Sequence, residues 1–152
     1  MINENLKLSG QLTIVLKDKT GKVKDTRELK NLVVNSGLAY IASRMVNTTK
    51  GTMSHMALGS GTTAAGATQT DLVSVLGSRE ALDSTAIAGT NNEKVVYVSS
   101  FEAGDATGAV TEAGLFNASS SGDMLCRTVF SVVNKAADDT MAVTWTITLA
   151  AS

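Results

Sequence analysis

Apolar and polar residues alternate strictly towards the end of the chain. Met141, Val143, Trp145, Ile147 and Leu149 share one side, and an alanine and three threonines lie between them. This alternation predicts a strand with one buried face. A shift of one residue would expose the only tryptophan, so the pattern also fixes the pairing register. We expect Val143, Trp145, Ile147 and Leu149 to belong to the structural core of a central strand.

The beginning of the chain shows the same period. Apolar side chains at even positions from Leu6 to Leu16 predict a long first strand, interrupted near Gly10. Asp18 to Gly21 has the composition of a tight turn. A second strand from 22 to 34 would complete a β-hairpin.

The period changes after this hairpin. Apolar residues then recur at spacings of three and four, which predicts a short helix that is capped by the side chain of Asn35 or Ser36 and ends before 47–51. A second short helix is expected after Thr70 or Asp71, which would cap it. The apolar stripes of the two helices are Leu38, Ile41, Ala42 and Met45 in the first, and Leu72, Val75 and Leu76 in the second.

Further strands are predicted in the second half of the chain, separated by polar turns. They span 94–101, 110–116, 124–133 and 141–149. Regularly spaced strands of this kind predict a mainly β protein, an antiparallel β-sandwich or jelly roll with one or two short α-helices. The length of 152 residues fits one domain, 1–152.

Composition narrows the functional classes. The single cysteine, Cys126, excludes an internal disulfide framework and a four-cysteine zinc site, and its apolar neighbours predict a buried thiol. The net charge of −1 gives no reason to expect nucleic-acid or membrane binding. The chain begins without a recognisable secretion signal and shows no apolar run long enough to cross a bilayer, so we expect it to be made and kept in the cytosol.

Charge is distributed unevenly. Residues 1–30 carry a net charge of +3, and the remainder carries −4. A solvated hairpin explains this excess. The alternative is that 1–30 forms an N-terminal contact arm that meets an acidic neighbour. The interface residues in that case would be Lys17, Lys19, Lys22, Lys24 and Arg27.

No pattern in the sequence predicts catalysis, a metal or a cofactor. His55 is the only histidine, which excludes multi-histidine metal sites, and we expect it to be a hydrogen-bonded structural residue. The closely spaced Gly59 and Gly61 are not followed by the rest of a phosphate-binding motif and predict a plain loop. Glu112 and Arg127 lie on neighbouring predicted strands, where they would form a structural ion pair.

Five segments together resemble a family of small structural proteins of tailed bacteriophages. They cover much of the chain from residue 28 to 149 and are more distinctive together than singly. The segments are 31–42 (NLVVNSGLAYIA), 54–63 (SHMALGSGTT), 110–117 (VTEAGLFN), 124–130 (MLCRTVF) and 139–147 (DTMAVTWTI).

The resemblance implies a virion component, and members of this family decorate capsids or belong to tail fibres and baseplates. We therefore expect a non-enzymatic decoration (cement) protein that binds the phage major capsid protein or other virion proteins, acts as a homo-oligomer and is assembled into the virion in the host cytoplasm. The alternative is a tail fibre, collar or baseplate adaptor protein. A carbohydrate-binding jelly roll is a third hypothesis, for which Tyr40 and Tyr97 would have to supply the exposed aromatic face.

Overall fold

The computed structural model describes residues 4–46 and 50–151, which form a mainly β protein with two antiparallel sheets and one short helix. The described elements are β1 (Leu6–Lys17), β2 (Val23–Lys30), β3 (Leu32–Val33), α1 (Asn35–Met45), β4 (His55–Gly59), β5 (Glu80–Ala81), β6 (Ser84–Ala88), β7 (Lys94–Phe101), β8 (Gly108–Phe116), β9 (Met124–Lys135) and β10 (Thr140–Ala151).

The first sheet has the strand order β2-β1-β10-β7-β6. Its centre is the pairing of β1 with β10, which runs without a break from Leu6 opposite Ala151 to Lys17 opposite Thr140. The expected interruption of β1 near Gly10 does not occur. Residues 6–30 form the expected hairpin, but β1 is an internal strand of the sheet and not a separate arm.

The second sheet has the order β3-β9-β8-β4-β5. The predicted strand 22–34 is divided between the two sheets, because the chain leaves the first sheet at Asn31 and β3 pairs with β9. Asn31 accepts a hydrogen bond from Trp145 Nε1 at 2.9 Å. Its side chain lies directly over Gly10, where a Cβ atom would collide with it.

The core lies between the two sheets, which gives the protein its sandwich architecture. Leu12, Trp145 and other side chains of the first sheet pack in one cluster with Met56, Leu115 and others of the second. Val143 and Trp145 are fully buried and Ile147 is nearly so, whereas Leu149 is only half-buried. The buried core between the two sheets therefore ends before the last residues of β10.

The helix forms at the predicted place, but its predicted cap and buried stripe are wrong. Val34 is the N-cap and no side chain caps it, and the Ser36 hydroxyl instead donates to the Met124 carbonyl at 2.7 Å. Gly37 and Tyr40 are the buried helix residues, whereas Leu38 is half exposed. The glycine allows α1 to lie directly against the backbone of β9.

The second predicted helix does not form. Residues 70–76 are an irregular loop that contains one isolated bridge between Val75 and Gly59. Asp71 accepts a hydrogen bond from the adjacent Leu72 N–H instead of capping a helix. The backbone N–H groups of Val73 and Ser74 donate to Glu112, a residue far along the chain.

Candidate functional site

The most highly organised polar site of the described residues is centred on Glu112 of β8. Its carboxylate is fully buried and pairs with the buried Arg127, with Nη2 to Oε2 at 2.7 Å and Nε to Oε2 at 2.9 Å. The two residues are diagonal neighbours, because Glu112 lies opposite Val129 and Arg127 opposite Gly114.

Three backbone amides complete the surroundings of this carboxylate. The N–H of Gly61 donates to Oε1 at 3.0 Å, that of Ser74 to Oε1 at 2.7 Å, and that of Val73 to Oε2 at 3.0 Å. Burial by itself raises the pKa of Glu112, but the three amides and Arg127 favour the anion and hold the pKa below its ordinary value. Glu112 therefore stays ionised and fastens both ends of the loop 60–74.

Arg127 fastens the middle of the same loop. Its Nη1 donates to the Thr63 carbonyl at 3.0 Å and to Gln69 Oε1 at 2.9 Å. The two glycines at 59 and 61 are needed because a Cβ atom at either position would lie 2.5 Å from Glu112 Oε1. The glycine spacing thus reflects close packing against a carboxylate. Every polar atom named here has a hydrogen-bond partner within the protein, and the network ties the loop 60–74 to β8 and β9.

The basic residues of the first hairpin fall into two groups. Lys24 Nζ binds Asp139 Oδ2 at 2.6 Å, and this bond, with the Ala136 N–H, lowers the pKa of Asp139. Arg27 binds Asp25 and also donates to two backbone carbonyls of β9 at 3.2 Å. These two cations therefore stabilise the fold.

The other group lies at the hairpin turn and is exposed. Asp18 shapes the turn by accepting hydrogen bonds from the Thr20 and Lys22 amides at 2.8 and 3.1 Å, and Gly21 adopts a φ of 85°. The basic side chains of this group, all of them exposed, are Lys17, Lys19 and Lys22.

An exposed apolar groove lies at the opposite end of β1, between α1 and the paired ends of β1 and β10. The stripe predicted for the helix core forms one wall of this groove, and Met45 is 84% exposed. Contiguous apolar surface of this kind is typical of protein-binding surfaces. The lining residues are Leu6, Leu8, Leu38, Ile41, Ala42, Met45 and Leu149. The helical spacing identifies the apolar stripe of α1, but it does not indicate which side of the helix is buried.

His55 and Cys126 are the single histidine and the single cysteine of the sequence. His55 Nδ1 shares a hydrogen bond with the hydroxyl of the preceding Ser54 at 2.8 Å, and within residues 4–46 and 50–151 no carboxylate bonds to the imidazole. Cys126 is fully buried, which raises the pKa of its thiol.

The six aromatic side chains are all buried. Tyr40 and Tyr97, the two candidates for a sugar-stacking face, are no more than 9% exposed. Burial raises the pKa of Tyr97 to about 12. The carbohydrate-binding hypothesis therefore loses the aromatic rings on which it depended.

Comparisons with protein-family models, with curated proteins and with solved structures found no match. In the part of the chain that the structure describes, no helix has the length and apolar character needed to span a membrane.

Proposed function

We propose that this chain is a non-enzymatic structural protein of a tailed bacteriophage virion, and that it decorates the head by binding coat subunits. The observation that supports the proposal is that the segments that resemble such proteins form one scaffold. Three of them become β4, β8 and β9 with the glycine loop around Glu112 and Arg127. The other two become β3 with α1, and β10. The resemblance therefore extends over a connected unit of structure.

A β-sandwich of this kind is suited to a virion protein that binds other proteins and does not turn over a substrate. A decoration protein stabilises an assembled shell because it binds the shell and not its free subunits. Each contact can be small, since oligomers on a regular lattice multiply their interfaces. The function requires a folded domain with exposed surfaces, and the two sheets with the exposed lysines of the hairpin turn are compatible with it.

The exposed lysines of the hairpin turn are the surface that we assign to the coat. Lys17, Lys19 and Lys22 carry three positive charges with one intervening carboxylate, Asp18. Such a surface is complementary to an acidic patch on a partner and would raise the association rate. Lys24 and Arg27 contribute less, because their charges are already neutralised by Asp139 and Asp25.

The test is rebinding of purified protein to particles that lack it, with a charge-reversed variant at Lys17, Lys19 and Lys22. We expect occupancy to fall at least about tenfold and the remaining binding to lose its salt dependence. The matched control reverses the same number of charges at Lys7, Lys30 and Lys94, on the outer face of the first sheet. Equal occupancy of the two variants would reject the assignment of this surface. Failure of the unmodified protein to bind any such particle would reject the decoration function.

Copy number distinguishes the head from the tail. Quantitative mass spectrometry of intact virions should give hundreds of copies for a head decoration protein. A dozen copies or fewer would favour the alternative, a tail fibre, collar or baseplate adaptor.

A further inference from the structure

The strand β6 is a bare edge of the first sheet. Among residues 4–46 and 50–151, β7 is the one strand hydrogen-bonded to it, and its residues Ser84 to Ile87 are exposed. An edge strand has unpaired N–H and C=O groups at every second residue, and these groups form a template for another strand. The ligand chemistry of such an edge is therefore an extended polypeptide.

The opposite edge of the same sheet is protected in ways that β6 is not. The edge strand β2 carries five charged residues among eight, and its pairing with β1 is irregular next to Lys17. Charges and irregularities are the usual means of preventing strand addition at an edge. In contrast, β6 reads Ser-Thr-Ala-Ile-Ala, with no charge and no proline, and its five pairs with β7 follow one register.

An apolar side chain is left uncovered at this edge. Ile87 lies opposite Val95 and Thr85 opposite Tyr97, so both belong to the face of the sheet that covers the core. Ile87 is nevertheless 62% exposed. A strand added beside β6 would cover part of this side chain.

We infer that β6 is a self-association edge, which pairs antiparallel with β6 of a second copy of this chain and joins the two five-stranded sheets into one. In the register that we propose, Ala86 lies opposite Ala86 on the twofold axis. Ser84 then lies opposite Ala88, and Thr85 opposite Ile87.

This register is self-complementary. Every cross-strand pair joins small or β-branched residues, and no charges of like sign meet, which would be destabilising in directly opposed positions. A twofold axis brings the same segment of both copies together, as is usual in homodimers. A second copy of the chain is therefore a matched partner for β6.

The pairing by itself is weak. Five residues on each side bury far less than the about 800 Å² per partner of a standard stable interface. Self-association is thus expected at high protein concentration, or where copies are held close together on a surface. The inference deepens the expectation of a homo-oligomer but does not depend on the virion proposal, since it concerns the isolated protein.

Disulfide trapping tests the register. Under mild oxidation, the Ala86→Cys variant should give a covalent dimer, because opposed Cβ atoms lie about 4.5–5.5 Å apart across a strand pair. The equally exposed Ser84→Cys control should not, since its two thiols would be four residues, about 13 Å, out of register. A mixture of Ser84→Cys and Ala88→Cys should give a mixed dimer. The buried Cys126 does not interfere.

Sedimentation equilibrium provides the second measurement. Ile87→Lys should raise the dissociation constant of the self-association about tenfold or more, because it adds a charge to the edge and removes the apolar contact. Val23→Lys makes the same kind of change at the exposed start of β2 and should leave the constant unchanged. Equal trapping of Ala86→Cys and Ser84→Cys, or a wild-type protein that stays monomeric at millimolar concentration, would overturn the inference. Neither result would bear on binding to coat subunits.

Discussion

Glu112 holds together parts of the chain that are far apart in sequence. Its carboxylate accepts hydrogen bonds from Arg127 on the next strand and from backbone amides as distant as Gly61 and Ser74. A buried anion is costly without partners, and a buried cation that loses its anion is costly as well. The residue is therefore as important to the loop 60–74 as any apolar side chain of the core.

Replacing this carboxylate should be strongly destabilising. We expect Glu112→Gln to lower the free energy of unfolding by about 3–5 kcal/mol, because Arg127 would stay buried without its counter-ion. Urea denaturation measures the change. The control is Lys50→Met, which removes the half-exposed pair with Asp123 (N···O 2.9 Å) and should cost less than about 1 kcal/mol. Equal effects of the two substitutions would mean that the buried pair does not stabilise the fold.

Acid should weaken the fold through the same group. The pKa values of Glu112 and Asp139 are lower in the folded protein than their ordinary values of 4.5 and 3.8. The stabilisation of the fold by these two carboxylates is therefore complete when the pH is above their ordinary pKa values. It is lost as the pH falls through their lowered pKa values in the folded protein. We expect the free energy of unfolding to decline below about pH 4.5, and less steeply in Glu112→Gln than in the charge-matched Glu28→Gln. Parallel pH curves for the two variants would contradict this.

Among the elements, α1 depends on a single glycine for its position. A Cβ atom at Gly37 would collide with the carbonyl oxygen of Leu125 on β9. The Ser36 hydroxyl, one residue earlier, donates to the neighbouring Met124 carbonyl. The helix is thus fixed to the second sheet by close backbone contact at its first turn.

This contact reverses the usual preference of helices for alanine. Alanine is about 1 kcal/mol better than glycine inside a helix, yet Gly37→Ala should lower the free energy of unfolding by about 1–3 kcal/mol through overpacking. Ala39→Gly, at an exposed position of the same helix, measures the effect of helix propensity alone. Thermal and urea denaturation of both variants test the expectation. A more stable Gly37→Ala variant would show that α1 does not pack as described.

Elements specified by local patterns could be predicted from the sequence. The alternation between Met141 and Leu149 predicted β10, and the turn at Asp18 predicted the hairpin. The prediction of a second helix is wrong, because it depends on the helical spacing of Leu72 and Leu76. The backbone amides between these residues instead donate to Glu112, about forty residues away, and the segment is a loop. Distant hydrogen bonds of this kind leave no trace in a local pattern.

Of the candidate sites, one could be predicted from the sequence and two could not. The Glu112 and Arg127 pair could be proposed because both residues lie on strands that were expected to be neighbours. The apolar groove was missed because the spacing that predicts a helix does not tell which side of it will be buried, and here Leu38 and Met45 face solvent. The bare edge was missed because Ser-Thr-Ala-Ile-Ala is too short and too small to stand out as a strand.

At the scale of the whole molecule, the first sheet is built around the pairing of the first and last strands. Twelve residues of β1 pair with twelve of β10. The first sheet is therefore complete only when the two ends of the chain have met. Non-local pairing of this kind folds slowly compared with local hairpins.

The hairpin should therefore not be separable from the domain. We expect the fragment 31–152 to lack a cooperative unfolding transition in urea, because β10 would lose β1, one of its two partner strands, and Trp145 would lose the side chains of β1 that cover it. The fluorescence of Trp145 should report a solvent-exposed ring. A cooperative transition at the denaturant midpoint of the full chain would instead identify residues 1–30 as an independent contact arm.

The pairing of Leu6 with Ala151 also determines where a genetic fusion would emerge. A tag or cargo domain attached upstream of β1 and one attached downstream of β10 would leave the protein at the same end of the first sheet. This end lies next to the apolar groove beside α1. A short linker could join the two ends there, and the chain could be reopened in the turn at Asp18 to give a circular permutant with the same sheets. Such a permutant would display its cargo at the opposite pole, beside the exposed lysines.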